Sequence, residues 1–257
     1  MPLSQRDIHV YPTTQALLQA AAHHVLDHAQ QAIAARDSCT IALAGGSTPK
    51  DLYAMLAVPP FRNQLDWRRI RVFWGDERHV PPDHADSNYR MAHEALLRHL
   101  PIPTAQVHRV PSELPDAQAA ADQYEAALRE QFEVAEPDVP RFDLILLGMG
   151  PDGHTASLFP GTRSVHETSR LVAAPWVEKL RAFRITFTPV LLNHARQVTF
   201  LICGRAKAET LHAVLEGPFQ PDALPVQVIG PQAGTLTWFV DQEAGGALTF
   251  LQRREIP

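Results

Sequence analysis

A histidine ends the glycine-rich loop inside the most chemically informative stretch of this chain, residues 143–160. An apolar run from Asp143 leads directly into a glycine-rich loop, which ends at Asp152, Gly153 and His154. A short apolar run bounded by glycine and proline is typical of an interior strand in a parallel sheet. Catalytic groups of open α/β sheets collect at the carboxyl ends of the strands, so His154, placed where the next helix would begin, is a candidate general base. A glycine turn in which His154 only caps a helix is the alternative.

The glycines of this segment also match the dinucleotide-binding pattern G-x-G-x-x-G, at Gly148, Gly150 and Gly153. That pattern requires an acidic residue about 20 residues further on, at the end of a second strand. The equivalent position falls near Ser169 and Arg170, and no acid closes the strand-like segment that follows. A nicotinamide or flavin site is therefore disfavoured, and no cofactor is expected.

A second loop has the composition of an anion-binding site. Gly45, Gly46, Ser47 and Thr48 follow a predicted strand, and Pro49 suits the first turn of a helix. Free amides at a helix N-terminus, together with the two hydroxyl groups, can hold a phosphate. The loop lacks the spacing of a P-loop, and a nucleophile elbow would require glycine in place of Pro49. A purely structural turn is the remaining alternative.

Charged residues follow other predicted strands. Asp76 and Arg78 come directly after the strand predicted at 69–74, where a solvated charged turn is the alternative. Arg184 opens a later strand, and Lys207 lies just after another. Arginine can bind phosphate through two hydrogen bonds and lysine supplies a point charge, although each alone is more often a surface cation. Strand ends of one parallel sheet converge on one crevice, which favours a shared site.

Strand-like and helix-like segments alternate along the chain. Predicted strands cover residues 8–11, 39–44, 69–74, a run from Asp143, 171–174, 184–188, 197–203, 226–229 and 236–240. Predicted helices cover residues 13–35, a stretch from the glycine loop through Leu56, 88–100, 117–132, 189–195 and 207–216. This alternation predicts an α/β fold: a doubly wound, mostly parallel, Rossmann-like sheet with helices on both faces. No linker or repeat indicates a second domain, so residues 1–257 are predicted to form one domain.

Composition and charge limit the classes of partner. The 257 residues are 45% hydrophobic and 20% charged, with a formal net charge of −5. Because no general basic field exists, neither nucleic acid nor an anionic membrane is expected as a partner. No apolar run approaches the ~20 residues of a membrane span, and the N-terminus carries no apolar leader. A cytoplasmic location is therefore predicted.

The metal-binding residue types lack the spacing of a metal site. Cys39 and Cys203 show no C-x-x-C or zinc-type pattern and are predicted to be buried free thiols. Two imidazoles among His23, His24 and His28 could share a helical face, but no third ligand accompanies them. No metal is predicted.

Five segments in order resemble the 6-phosphogluconolactonase family, and together they span nearly the whole chain. They are Leu43–Pro49, Phe73–Arg78 with Ser87 and Asn88 downstream, Leu147–Pro160, Arg184–Thr188 and Gly204–Ala208. Each motif is loose alone, but the ordered set is specific. Glucosamine-6-phosphate deaminases share the glycine loop and the Asp-Gly-His turn, and there a glutamate just after the turn assists the histidine. The corresponding stretch here, Ser157–Pro160, has no carboxylate, which favours the lactonase.

The resemblance implies hydrolysis of 6-phospho-D-glucono-1,5-lactone to 6-phospho-D-gluconate, in the oxidative pentose phosphate pathway, with a small phosphosugar lactone as the partner molecule. His154 is the implied base, and Asp76 orients either the imidazole or a sugar hydroxyl. Asp152 is expected to shape the loop, because a spacing of two does not place both side chains on one helical face. The implied phosphate site comprises Gly45, Gly46, Ser47, Thr48, Gly153, Arg184 and Lys207, with Arg78 binding phosphate or steadying its loop.

Two alternatives to the lactonase stay open. One is an amino-sugar phosphate deaminase or isomerase on the same scaffold. The other is a non-catalytic sugar-phosphate sensor, although retention of Asp152, Gly153 and His154 counts against it. The oligomeric state, monomer or small homo-oligomer, is not predicted.

Overall fold

Ten strands occur in the part of the chain that the computed structural model describes, residues 7–249. They are β1 (Asp7–Tyr11), β2 (Cys39–Leu43), β3 (Ile70–Trp74), β4 (Asp76–Arg78), β5 (Leu144–Leu147), β6 (Val172–Ala173), β7 (Trp176–Val177), β8 (Ala182–Phe187), β9 (Gln197–Ile202) and β10 (Thr235–Asp241). Six of them form a parallel sheet in the order β1-β10-β9-β5-β2-β3. The central strands β2, β5 and β9 are buried along their whole length, as their mostly apolar sequences predict.

Helices connect these strands. They are α1 (Thr14–Arg36), α2 (Ser47–Leu56), α3 (Asn88–Ala95), α4 (Ala117–Phe132), α5 (Pro189–Leu192) and α6 (Ala208–Glu216). Helix α1 begins where the Thr13 hydroxyl accepts a hydrogen bond from the Ala16 amide, and it ends at Asp37 in the left-handed conformation. Its apolar face packs against β2 and β10. The doubly wound, mostly parallel α/β fold is therefore confirmed.

A smaller antiparallel sheet lies beside the parallel one. It has the order β4-β8-β6, and β7 also pairs with β8. Asp76–Arg78 is thus a paired strand and not a solvated turn, with Asp76 and Glu77 buried. The sequence pattern predicted strands at the positions of β6 and β8 but not β4, because three charged residues in a row carry no strand-like alternation.

Three further element predictions are wrong in part. The helix predicted to start at Asp152–His154 is absent, because Gly153 and Ala156 both adopt positive φ, 77° and 47°, and turn the chain sharply. Residues 226–229 do not form a strand, since Pro225–Val228 is a short 3₁₀ helix. The helix predicted to extend to residue 100 ends at Ala95, and a 3₁₀ turn follows.

Some predictions concern parts of the chain that the structure does not address. The N-terminal residues 1–6, where no apolar leader is predicted, and residues 250–257 lie outside the described residues. Within residues 7–249, no helix combines the length and the apolar character needed to cross a membrane. The single-domain organisation stays a prediction.

Candidate active site

A cleft of about 240 Å³ lies at the carboxyl ends of the parallel strands, where the loops after β2, β3, β5 and β9 meet. This is the edge at which ligands bind in open α/β sheets. The residues predicted from the sequence that line the cleft are Gly45, Gly46, Ser47, Thr48, Asp76, Arg78, His154 and Lys207. Asp152, Gly153 and Arg184 are not part of this lining. Asp152 contacts His154, and Arg184 is paired with Arg78 across β4 and β8.

The glycine loop after β2 presents the N-terminus of α2 to the cleft. Gly46 is the residue before the helix, with a φ of 102°, and no side chain caps the first turn. The first amide groups of a helix have no intrahelical partner, so those of Ser47 and Thr48 can bind an anion. Gly45 is required for a different reason: a Cβ there would lie 2.1 Å from Oδ1 of Asn88.

His154 is held on three sides. Its Nδ1 lies 2.5 Å from Oδ1 of Asp152, and its ring stacks on Phe159 with centroids 4.1 Å apart. The Gly150 amide donates to the His154 carbonyl at 2.8 Å, and a Cβ on Gly150 would collide with the imidazole. The Asp152 contact corrects our expectation that this carboxylate only shapes the loop. The positive φ of Gly153 folds the loop back, so spacing on a helical face does not apply.

The protonation of His154 follows from its surroundings. Burial lowers the pKa of His154 to about 4, against the opposing effect of Asp76. The cations Lys207, Arg184 and Arg78 lower this pKa further. The imidazole is therefore neutral near pH 7, which is the form that can accept a proton.

Asp152 acts on His154 in the opposite direction from the cations. A carboxylate in contact with Nδ1 stabilises the imidazolium ion as it forms. The contact also assigns the roles of the two ring nitrogens. With Nδ1 bound to Asp152, Nε2 is the nitrogen left to exchange a proton with a ligand.

Three cations surround the cleft. Arg78 and Arg184 occupy paired positions on the antiparallel strands β4 and β8. Arg78 donates to the Asp86 carbonyl at 2.6 Å, which steadies the loop that follows it. Burial lowers the pKa of both Arg184 and Lys207, so their charges are partly desolvated before any ligand binds. Such charges favour an incoming anion.

Asp76 is anchored by hydrogen bonds that do not involve the imidazole. Its Oδ2 accepts a hydrogen bond from the Ser157 hydroxyl at 2.7 Å, and its carbonyl accepts one from the Asn88 amide at 3.0 Å. Contact with the imidazole, one of its two expected roles, is thus made by Asp152 in this structure. Asp76 lines the cleft, where a sugar hydroxyl could reach it.

Sequence reasoning missed several residues that shape the site. Glu77 is buried and accepts hydrogen bonds from the backbone amides of Asn88 and Tyr89, which fixes the start of α3. Burial raises the pKa of Glu77, and these hydrogen bonds oppose that rise. Phe159 lay within a family motif but had no assigned role, and Lys179 went unnoticed because a surface lysine carries no recognisable spacing. Asn88 was part of a family motif but had no assigned role.

The histidines of α1 have structural partners. His24 Nε2 lies 2.8 Å from the Thr199 hydroxyl, and His28 Nδ1 lies 2.9 Å from the His24 carbonyl. Among residues 7–249, no three His, Cys, Asp or Glu side chains are placed to hold a metal ion. Cys39 and Cys203 are free thiols, the first buried and the second partly exposed.

Comparisons with known proteins show which family the chain belongs to. The family model described as glucosamine-6-phosphate isomerases/6-phosphogluconolactonase matches residues 12–238. The chain belongs to this family. A 6-phosphogluconolactonase of Synechocystis sp. is 45% identical over 231 residues, 90% of this chain and 93% of the relative. Another, from Nostoc sp., is 39% identical over 245 residues, 95% of this chain and 99% of the relative.

A solved member of the family has the same fold. The structure of 6-phosphogluconolactonase from Trypanosoma brucei superimposes with a TM-score of 0.85 at 32% identity, covering 95% of this chain and 99% of that one. The resemblance inferred from the ordered motifs is therefore confirmed.

Proposed function

We propose that this chain is a hydrolase that converts 6-phospho-D-glucono-1,5-lactone to 6-phospho-D-gluconate in the oxidative pentose phosphate pathway. Relatives at 45% and 39% identity bear the name of this activity and match nearly their full length. The observation that carries the proposal is the placement of a neutral, Asp152-bound His154 in the same cleft as the open N-terminus of α2. The imidazole of His154 suits the activation of water, and the free amides of the helix N-terminus suit the binding of a phosphate.

His154 is proposed as the general base. It accepts a proton from water as the water oxygen attacks the C1 carbonyl carbon of the lactone. The ring bond between C1 and O5 then breaks, and the proton passes from the imidazolium ion to O5. Asp152 holds Nδ1 and stabilises the transient positive charge, as the carboxylate does in hydrolase triads. Asp76 is proposed to bind a sugar hydroxyl.

The phosphate is proposed to bind at the opposite side of the cleft. Amide groups at the start of α2 and the hydroxyls of Ser47 and Thr48 would donate hydrogen bonds to it. Lys207, Arg184 and Arg78 would supply the positive charge, and Gly45, Gly46 and Gly153 would allow the backbone its close approach. Arg78 can serve in this way while its hydrogen bond to Asp86 steadies the loop.

No specific observation favours an aminosugar deaminase or a sensor. In the segment after the Asp-Gly-His turn, where the deaminases carry a glutamate, this chain has Ser157 and Phe159. The Ser157 hydroxyl donates a hydrogen bond to Asp76, and the Phe159 ring stacks on His154. The deciding experiment compares hydrolysis of freshly generated 6-phosphogluconolactone with ammonia release from glucosamine 6-phosphate. Lactone hydrolysis above the spontaneous rate is expected. Ammonia release alone would overturn the proposal, and failure of both reactions would favour the sensor.

We also propose where the protein works and what the reaction requires. A cytoplasmic location would suit two free thiols, because reducing compartments keep cysteines unpaired. The reaction as written needs only water, a base and positive charge, so no resident metal or redox cofactor is proposed.

The phosphate subsite can be separated from the chemistry by substitution. Lys207→Ala and Arg184→Ala should each weaken binding of 6-phosphogluconate, because a charge-assisted hydrogen bond contributes about 1.5–3 kcal/mol. Their effect on hydrolysis of the unphosphorylated lactone should be much smaller. Calorimetric titration and kinetics on both lactones measure these changes.

Arg205→Ala is the matched control for the loop that carries Lys207. Arg205 is an exposed cation two residues away and does not line the cleft. Its removal should leave product binding unchanged. If Lys207→Ala impaired both lactones equally, a phosphate-binding role for that lysine would be ruled out.

The acid limb of activity should lie below the pH of an ordinary histidine. Burial and the three cations lower the pKa of His154 to about 4, so the base loses activity only when the pH falls toward that value. Removing a cation in Lys207→Ala should move the limb to higher pH. An NMR titration of the His154 ring, assigned with His154→Gln, measures this without the substrate phosphate, which itself titrates near ~6. A wild-type midpoint at or above ~6.5 would contradict the expectation.

A further inference from the structure

Lys179 lies outside the cleft but contacts two of the groups that hold His154. It belongs to the 3₁₀ turn Glu178–Leu180 between β7 and β8, and its side chain is 51% exposed. Its Nζ forms an ion pair with Oδ2 of Asp152. It also lies over the face of Phe159, 4.8 Å from the ring centroid.

Lys179 therefore contacts two neighbours of the imidazole, Asp152 and Phe159. Asp152 divides its two carboxylate oxygens, Oδ2 to Lys179 and Oδ1 to Nδ1 of His154. A carboxylate held at one oxygen can still rotate, whereas one held at both has a fixed orientation. Phe159 is likewise shared, because one face-on contact is with His154 and another is with the lysine ammonium.

A second cavity meets the site at this point. It has a volume of about 820 Å³ and is lined by Lys179, Asp152 and Phe159 among others, whereas the 240 Å³ cleft is lined by His154. Lys179 is half exposed and faces this cavity, so its side chain can be substituted without opening a void in the core.

We propose that Lys179 is a positioning residue for the lactonase reaction: it fixes the Asp152 carboxylate and the Phe159 ring, and through them the orientation of the His154 imidazole. Lys179 touches neither the substrate nor the imidazole itself. This inference rests on the proposed function. It assigns a role to a turn that follows β7, which no sequence motif of this chain marks as part of the site.

The sign of the expected pH effect follows from the charges around His154. The charged groups that act on His154 come from four parts of the chain. They are Asp152 from the same loop, Asp76 and Arg78 from β4, Arg184 from β8, and Lys207 from the turn before α6. Lys179 partly neutralises Asp152 and so weakens the support that this carboxylate gives to the imidazolium ion. Without Lys179 that support is stronger, and the acid limb should move to higher pH.

The test compares Lys179→Met with Lys179→Arg and with the matched control Arg181→Met. Arg181 is an exposed cation in the same connection and lines neither cavity, so its removal makes the same change in net charge. In Lys179→Met we expect kcat to fall by up to roughly 100-fold, the loss that a misplaced catalytic group causes. Binding of 6-phosphogluconate should be unchanged, and the midpoint of the His154 NMR titration should rise. Lys179→Arg should restore most of the rate.

Each outcome bears on the proposal. If Lys179→Met matches Arg181→Met in kcat and in the His154 titration, Lys179 has no positioning role. If Lys179→Arg is as slow as Lys179→Met while both fold normally by circular dichroism, the side chain acts by shape and the ion-pair account is wrong. The NMR titration needs no substrate, so it tests the contact even if wild-type protein fails to hydrolyse the lactone. That last failure would overturn the proposed function instead.

Discussion

His154→Ala is expected to lower kcat by roughly 10²–10⁴-fold, the range typical of a lost general base, while binding of 6-phosphogluconate stays nearly intact. The imidazole is the neutral, half-buried base of the proposed mechanism, and its removal takes away none of the groups proposed to bind the phosphate. Rates are measured above the spontaneous hydrolysis of the lactone, and product binding is measured by calorimetry.

His166→Ala provides the control for this substitution. His166 forms the same kind of pair, with Nε2 2.6 Å from Oδ1 of Asp222, at an exposed position that does not line the cleft. Loss of that pair should leave turnover unchanged. Wild-type turnover in His154→Ala would remove His154 from the mechanism.

Asp152→Asn should be the next most damaging change at the site. The carboxylate contacts Nδ1 at 2.5 Å, and an amide can neither stabilise the imidazolium ion to the same degree nor secure the same tautomer. In a hydrolase triad this substitution costs up to ~10⁴-fold in kcat, and we expect a loss of roughly 10²-fold or more here. The acid limb should move to lower pH, because the anion that favours protonation of His154 is gone.

Asp222→Asn is the corresponding control, since it alters the remote pair with His166 in the same way. Both variants should keep their thermal stability within a few degrees, which differential scanning calorimetry measures. A normal rate in Asp152→Asn would show that the contact with Nδ1 has no catalytic consequence and would restore the loop-shaping role.

The parallel sheet was predictable because each of its central strands can be recognised from its own sequence. β2, β5 and β9 are short apolar runs bounded by glycine, proline or polar residues, and such runs have few other stable environments than the middle of a sheet. β4 was not predictable in the same way. Its residues are charged, and it is a strand only because β8, more than a hundred residues later, pairs with it.

In the site, too, features that depend on sequence neighbours were predictable, and contacts that depend on the folded loops were not. The glycine loop and His154 were recognisable from neighbouring residues alone. The contact between Asp152 and His154 was misjudged, because a helical spacing argument was applied to a loop that Gly153 folds back on itself. Lys179 was invisible, since it reaches Asp152 only after β7 and β8 have brought its turn alongside.

The close approach of Gly45 to Asn88 limits how the glycine loop after β2 can be transplanted. Asn88 begins α3 and donates to the Asp76 carbonyl, so the space that admits Gly45 is set by residues from another connection of the sheet. Grafting residues 45–49 alone onto a different parallel sheet would transfer the amides and hydroxyls without the wall that shapes them. A designer would have to move Asn88 and the Asp76 strand together with the loop, as one unit.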